Sequence, residues 1–192
     1  MTHRQHDTAS SRPTLRRLGH LAPLLWLLLL GGVAACTSIS CPLEKVTGAR
    51  CRIYDADTEK EQPIAAEVAL TVKPYLRDTV LLNRASSVSD FILPLKATEQ
   101  ADTLLFYFFA SDAEHEDETY ADTLRIIHTP QPHFESVDCP LQVFHKISSV
   151  EWTSHPLSVF PVTIDSVAVI GSQVDYETPE NLRIYLRRAA EQ

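Results

Sequence analysis

Histidines, cysteines, clustered carboxylates and aromatic rings are the side chains in this chain that could act as ligands, bases, nucleophiles or stacking platforms. Beyond residue 35 the histidines are His115, His128, His133, His145 and His155. His128 and His133 flank Thr129-Pro130-Gln131-Pro132, a stiff extended linker from which two imidazoles could face one metal ion. No Cys or carboxylate stands at ligand spacing beside them, so they read as loop residues, and no metal or cofactor is expected. Asp112-Ala113-Glu114-His115-Glu116-Asp117-Glu118 places five carboxylates in seven residues. It lacks the ligand order and central glycine of an EF-hand, so it reads as a solvated hairpin loop rather than a Ca²⁺ site.

Handles for catalysis are missing. The chain has no G-x-S-x-G, no H-E-x-x-H and no paired C-x-x-C, which removes the strong signatures of hydrolases, zinc proteases and thiol exchange. Gly48 and Gly171 are the only glycines past residue 35, so neither a phosphate loop nor a dinucleotide fingerprint can be built. No residue is assigned as catalytic, and the chain is read as a non-enzyme. A Ser/His/Asp set assembled from distant loops is recognised by geometry alone. An enzyme would show a histidine within hydrogen-bond reach of a Ser or carboxylate inside a pocket. Trp152, Tyr107, Tyr120 and Tyr176 are the candidates for stacking a glycan or peptide ligand, which requires them to form one exposed row.

The N-terminus carries the most specific signal. Arg4, Arg12, Arg16 and Arg17 precede an uncharged run from Leu21 to Ala35, fifteen residues long. As a helix that run spans only about 22 Å of a roughly 30 Å hydrocarbon core, so it reads as a secretory signal peptide over 1–35 rather than a membrane span. Val33-Ala34-Ala35-Cys36 resembles the bacterial lipobox. That resemblance implies cleavage between Ala35 and Cys36 and lipidation of Cys36 by a diacylglycerol thioether and an amide-linked acyl chain. Three chains anchor far more firmly than one. Removing residues 1–35 changes 17 basic and 25 acidic residues to 13 and 24, taking the formal charge from −8 to −11. An acidic chain without a basic run is a poor partner for nucleic acid or anionic headgroups.

With Cys36 given to lipid, Cys41, Cys51 and Cys139 remain, and at most one bridge can form among them. Arg50-Cys51-Arg52-Ile53 alternates in a way that puts Cys51 on a buried strand face. Cys41 and Cys139 each precede a proline and so sit in extended loop segments. Cys41–Cys139 is the preferred disulfide, and Cys51–Cys139 is the alternative.

These residues must be positioned by strands. Apolar residues alternate with period two over 50–55, 64–72, 78–83, 88–95, 103–110, 122–129, 142–152, 162–170 and 181–188. The spacing predicts an all-β fold, a single sandwich of seven to nine strands, immunoglobulin-like or similar, over 46–188. A tether over 36–45 precedes it and a short tail over 189–192 follows. Leu104-Leu105-Phe106-Tyr107-Phe108-Phe109 is apolar on both faces and suits a central strand. Asp78, Asp102 and Asp122 each precede Thr and an apolar run, and read as Asx turns opening strands. With two glycines in the folded part, tight turns should rely on Asn, Asp or longer loops.

Several segments together resemble an uncharacterised family of small outer-membrane lipoproteins of Bacteroidota. They include Ile39-Ser40-Cys41-Pro42-Leu43, Asp78-Thr79-Val80-Leu81-Leu82-Asn83 and Phe91-Ile92-Leu93-Pro94-Leu95. Thr129-Pro130-Gln131-Pro132-His133-Phe134, Asp138-Cys139 with Phe144-His145, and Val174-Asp175-Tyr176 before Glu180-Asn181-Leu182-Arg183-Ile184-Tyr185 continue the match. The resemblance implies a β-rich domain anchored to the outer membrane, no known activity, and association with an outer-membrane β-barrel protein. It supplies no catalytic residue. Cys41 and Cys139 fall inside matching segments and Cys51 does not, in agreement with the preferred pairing.

The leading expectation is therefore a lipid-anchored envelope lipoprotein acting as a non-enzymatic accessory or interaction module. A ligand-binding lipoprotein is second and a hydrolase third. Thr37-Ser38-Ile39-Ser40 after Cys36 lacks an acidic cluster, which favours the periplasmic leaflet over the cell surface.

Overall fold

A computed structural model describes residues 41, 47–111 and 121–190. The Ala35/Cys36 cleavage point, the lipidation residue Cys36, His115, Tyr120 and the acidic segment lie outside the described residues. Ten strands and no helix occur among those described. They are β1 (Ala49–Asp55), β2 (Val68–Pro74), β3 (Leu82–Ala85), β4 (Asp90–Leu93) and β5 (Ala101–Ala110), then β6 (Ala121–His133), β7 (Gln142–Thr153), β8 (Val162–Val169), β9 (Gln173–Val174) and β10 (Leu182–Arg188). One sheet has the order β4-β1-β10-β8 and the other β3-β2-β5-β6-β7-β9. β1 and β10 pair in parallel, and the remaining pairs are antiparallel. The fold is an all-β sandwich.

The core lies between the two sheets. Cys51, Ile53, Ile164, Leu182, Ile184 and Leu186 from the four-stranded sheet meet Leu70, Val72, Leu104, Phe106, Leu124 and Ile126 from the six-stranded one. Each set follows the period-two alternation of its strand, the physical reason these segments pair as they do. β5 lies inside its sheet between β2 and β6, as its two-sided apolar run requires. Its outer face buries Tyr107 and Phe109 beside Ala69. The Lys73 ammonium lies 5.4 Å and the Arg84 guanidinium 4.4 Å from these two rings, a cation–π cover for an otherwise wet face.

Cys41 and Cys139 are disulfide-bonded, with Cα atoms 5.5 Å apart and a sequence separation of 98. Cys51 is free and buried, and burial pushes its thiol pKa up, as the strand-face argument requires.

Three expectations need correction. The segment 129–132 is not a linker: β6 runs through it to His133, pairing Pro130 with His145 and Pro132 with Val143. β5 pairs with β6 only as far as Ile127, so beyond it one side of β6 is an open edge among the described residues. Two prolines of the same parity can turn their donor-free nitrogens to that edge without breaking the ladder with β7. The expected strand over 78–83 begins only at Leu82, and the two-residue β9 was too short to leave a periodic signal.

Nor, among the described residues, do Asn or Asp take the left-handed turn positions. Glu59, Leu76, Arg84 and Ser87 adopt φ of 55°, 62°, 45° and 56°. Both glycines serve close approach instead. A Cβ on Gly48 would meet Ile92 Cγ2 at 2.5 Å, and one on Gly171 would meet the Glu180 carbonyl oxygen at 2.6 Å.

Candidate functional site

Two buried carboxylate–imidazole constellations stand out among the described residues, and both sit on the core face of the six-stranded sheet. Asp102, Leu104 and Phe106 share one parity along β5, and Asp122, Leu124, Ile126 and His128 share one along β6. The inward face therefore carries an aspartate near the start of each strand. These are the aspartates expected in Asx turns. They lie instead inside paired strands, Asp102 opposite Ile126 and Asp122 opposite Phe106.

The first constellation is a relay across three strands. Asp102 Oδ2 accepts the Lys96 backbone N–H at 2.8 Å and lies 3.0 Å from His128 Nε2. His128 Nδ1 in turn lies 3.2 Å from His145 Nδ1, with the rings edge to face. A carboxylate only accepts, so His128 donates from Nε2 and its Nδ1 accepts from the Nδ1–H of His145, a donor order assigned from the partners. All three side chains are buried. Burial pushes the His145 pKa down to about 4; the neighbouring His128 imidazole adds to this, and the Asp102 carboxylate opposes it. Asp102 also borders a surface cleft of about 190 Å³, whose walls include Arg77, Leu81, Leu95, Lys96 and Leu104. The carboxylate reaches that cleft while His128 stays behind it. The Lys96 ammonium is 2.7 Å from Glu99 and 3.7 Å from Asp102 Oδ1, so its charge is held within the cleft wall.

The second constellation is a clamp between sheets. Asp122 is completely buried and accepts four hydrogen bonds. Oδ1 takes the His155 backbone N–H at 2.6 Å and His155 Nδ1 at 2.7 Å; Oδ2 takes Thr163 Oγ1 at 2.9 Å and the Ile164 N–H at 2.7 Å. β6 is thereby fastened to β8 of the opposite sheet and to the chain entering it. The His155 ring packs between Phe108 and Phe160, and its Nε2 is buried with no hydrogen-bond partner.

Chemically, the relay can pass a proton between His145 and Asp102, and the clamp can hold a charge. Among the described residues no Ser, Thr or Cys side chain is hydrogen-bonded to an imidazole, and no group of three or more His, Cys, Asp or Glu is arranged to hold a metal ion. Residues 69–186 match a family profile that begins in β2 and ends in β10. The chain belongs to the family of unknown function DUF6452. Both constellations and Cys139 lie inside the DUF6452 segment, whereas Cys41, Cys51 and β1 precede it. Neither the curated proteins nor the solved structures contain a match to the chain.

The three stacking candidates among the described residues, Trp152, Tyr107 and Tyr176, are not brought together. Tyr107 is on the outer face of the six-stranded sheet, opposite Ala121. Trp152 lies across from buried Leu124 and shares its inward face, where Nε1 donates to the Asp165 carbonyl of β8 at 3.0 Å. Tyr176 meets Phe144 edge to face, and Phe144 stacks on His133 at 4.2 Å. His133 also reaches Glu135 at 3.1 Å, so it serves the end of β6 rather than a site shared with His128.

Sequence reasoning missed Asp102 and Asp122 because it read each as the start of a strand. The signal available was parity: both are two residues before a core leucine.

Proposed function

We propose that the protein is a lipid-anchored cell-envelope lipoprotein of the outer membrane, acting as a non-enzymatic accessory or interaction module. The observation that carries this reading is the Cys41–Cys139 disulfide, closed five residues after the lipobox cysteine. A bridge of this kind persists in an oxidising compartment, the destination that a lipobox signal specifies. The buried charges support the non-enzymatic part. His128 does lie within hydrogen-bond reach of Asp102 at a cleft, the arrangement asked of an enzyme, but only the carboxylate lines that cleft. Each buried carboxylate is occupied by donors from its own fold, which is how a scaffold uses Asp and His rather than how an activated nucleophile is built.

The resemblance to small outer-membrane lipoproteins of Bacteroidota supports the location. Anchoring to one leaflet confines encounters to a plane and raises effective concentration for a membrane partner, with an outer-membrane β-barrel protein as the expected one. The absence of an acidic cluster after Cys36 favours the periplasmic leaflet.

The test is metabolic labelling with an alkyne fatty acid in a host that processes lipoproteins. Wild type should carry the label and sediment with membranes, and Cys36→Ser should lose both. Equal labelling of the two proteins would refute the anchor. Crosslinking of the labelled protein in membranes should capture a β-barrel protein, and protease added to intact cells should leave the domain uncut.

A further inference from the structure

We propose that the loop joining β6 to β7, residues 134–141, docks on the bilayer interface and inserts Phe134, Val137 and Leu141 among the headgroups; this rests on the lipid-anchor reading. These side chains are 70%, 99% and 50% exposed, a concentration of apolar surface that a soluble face does not require. The loop also holds Cys139, bonded to Cys41 with 5.5 Å between Cα atoms. Cys41 lies five positions after Cys36, a tether of at most about 18 Å when fully extended. The disulfide therefore keeps this apolar loop within reach of the acylated residue.

Ala110 and Ala121 mark the end of the β5–β6 ladder opposite to the loop. Glu135 and Asp138 within the loop make an anionic surface unfavourable, so zwitterionic phosphatidylcholine vesicles are the probe.

Lipidated protein carrying Val137→Trp is reconstituted in such vesicles with brominated acyl chains, beside Val159→Trp at the far end of the sheet and the wild type, whose Trp152 sets the background. Leu141→Trp is the second reporter should Val137→Trp misfold. Docking predicts quenching at 137 or 141 several-fold greater than at 159. Equal quenching at both ends in protein whose mass shows acylated Cys36 overturns docking and leaves the anchor standing. If the mass shows no acylation, the anchor reading fails. Docking is then read from partitioning of the full chain, which must fall roughly tenfold in Phe134→Ser/Val137→Ser/Leu141→Ser and is overturned if it does not. A concentration-dependent blue shift at 137 without vesicles overturns it as well, by assigning the loop to a second copy of the chain.

Discussion

Replacing Asp122 by Asn keeps the shape of the clamp and changes only its acceptors. The carboxylate offers two oxygens, each taking two donors, whereas the amide has one oxygen and one nitrogen. With the nitrogen towards His155, the imidazole can change tautomer and accept, but the His155 backbone N–H at 2.6 Å then faces another donor. With the nitrogen towards β8, Thr163 can rotate and accept, but the Ile164 N–H at 2.7 Å is stranded. Either orientation leaves one buried backbone donor unsatisfied, at about 1–3 kcal/mol, and removes charge from the remaining bonds. The sum comes to about 3–5 kcal/mol, the range for breaking one side of a buried charged network. In a domain of this size that lowers Tm by roughly 6–20 °C. Urea unfolding should show the midpoint falling with the slope unchanged. Thr163→Val removes a single donor and should cost about 1–2 kcal/mol. Glu151→Gln breaks an exposed pair with Arg125 and should cost less than about 1 kcal/mol. An Asp122→Asn protein as stable as Glu151→Gln would refute the clamp as a stabilising element.

Three further outcomes follow from His145 and the cysteines. His145 is held neutral by burial, with a folded pKa of about 4 against about 6.5 unfolded, so the unfolded chain binds the extra proton between those values. Its contribution is fully present above pH 6.5 and lost as pH falls towards 4, by about 3 kcal/mol at most. His145→Asn, whose amide nitrogen can replace Nδ1, should flatten urea stability over that window, and an unchanged slope would refute the assignment. Reducing Cys41–Cys139 should cost on the order of 4–5 kcal/mol for a loop near a hundred residues in the chain-entropy model. Cys51 should resist iodoacetamide until the protein unfolds, and alkylation in the native state would contradict its burial.

Much of this architecture was legible because its cause is local. Alternation placed Cys51 and Ile53 inward, the two-sided apolar run placed β5 in mid-sheet, and the Cys-Pro pairs marked loops that do meet. The errors share another cause. Proline at 130 and 132 argues for a linker until the strand is known to have an open edge, which is a property of the whole sheet. Aspartate before threonine is a turn by local preference, and here tertiary donors override it. His128 and His145 are seventeen residues apart, and their contact exists only because the β6–β7 register brings His128 opposite Ile147 and His145 opposite Pro130.

The same aspartates answer a question that the apolar pattern leaves open. A one-residue slip of β6 against β5 would turn Leu124 and Ile126 outward and Arg125 inward, and burial alone forbids it. A two-residue slip keeps every side chain on its own face and costs little in apolar matching. It also moves Asp122 about 6.6 Å along the strand, away from all four of its donors. At the other end of the ladder the same displacement separates His128 from Asp102. Burying two carboxylates is expensive, and an apolar pair of similar volume would hold the sheets together as well. What such a pair cannot do is distinguish registers that differ by two residues, because leucine accepts leucine at either step. Asp102 near the start of β5 and Asp122 near the start of β6 fix that choice at opposite ends of one antiparallel ribbon, and the ribbon's register in turn sets where β6 emerges to carry the loop closed by Cys139.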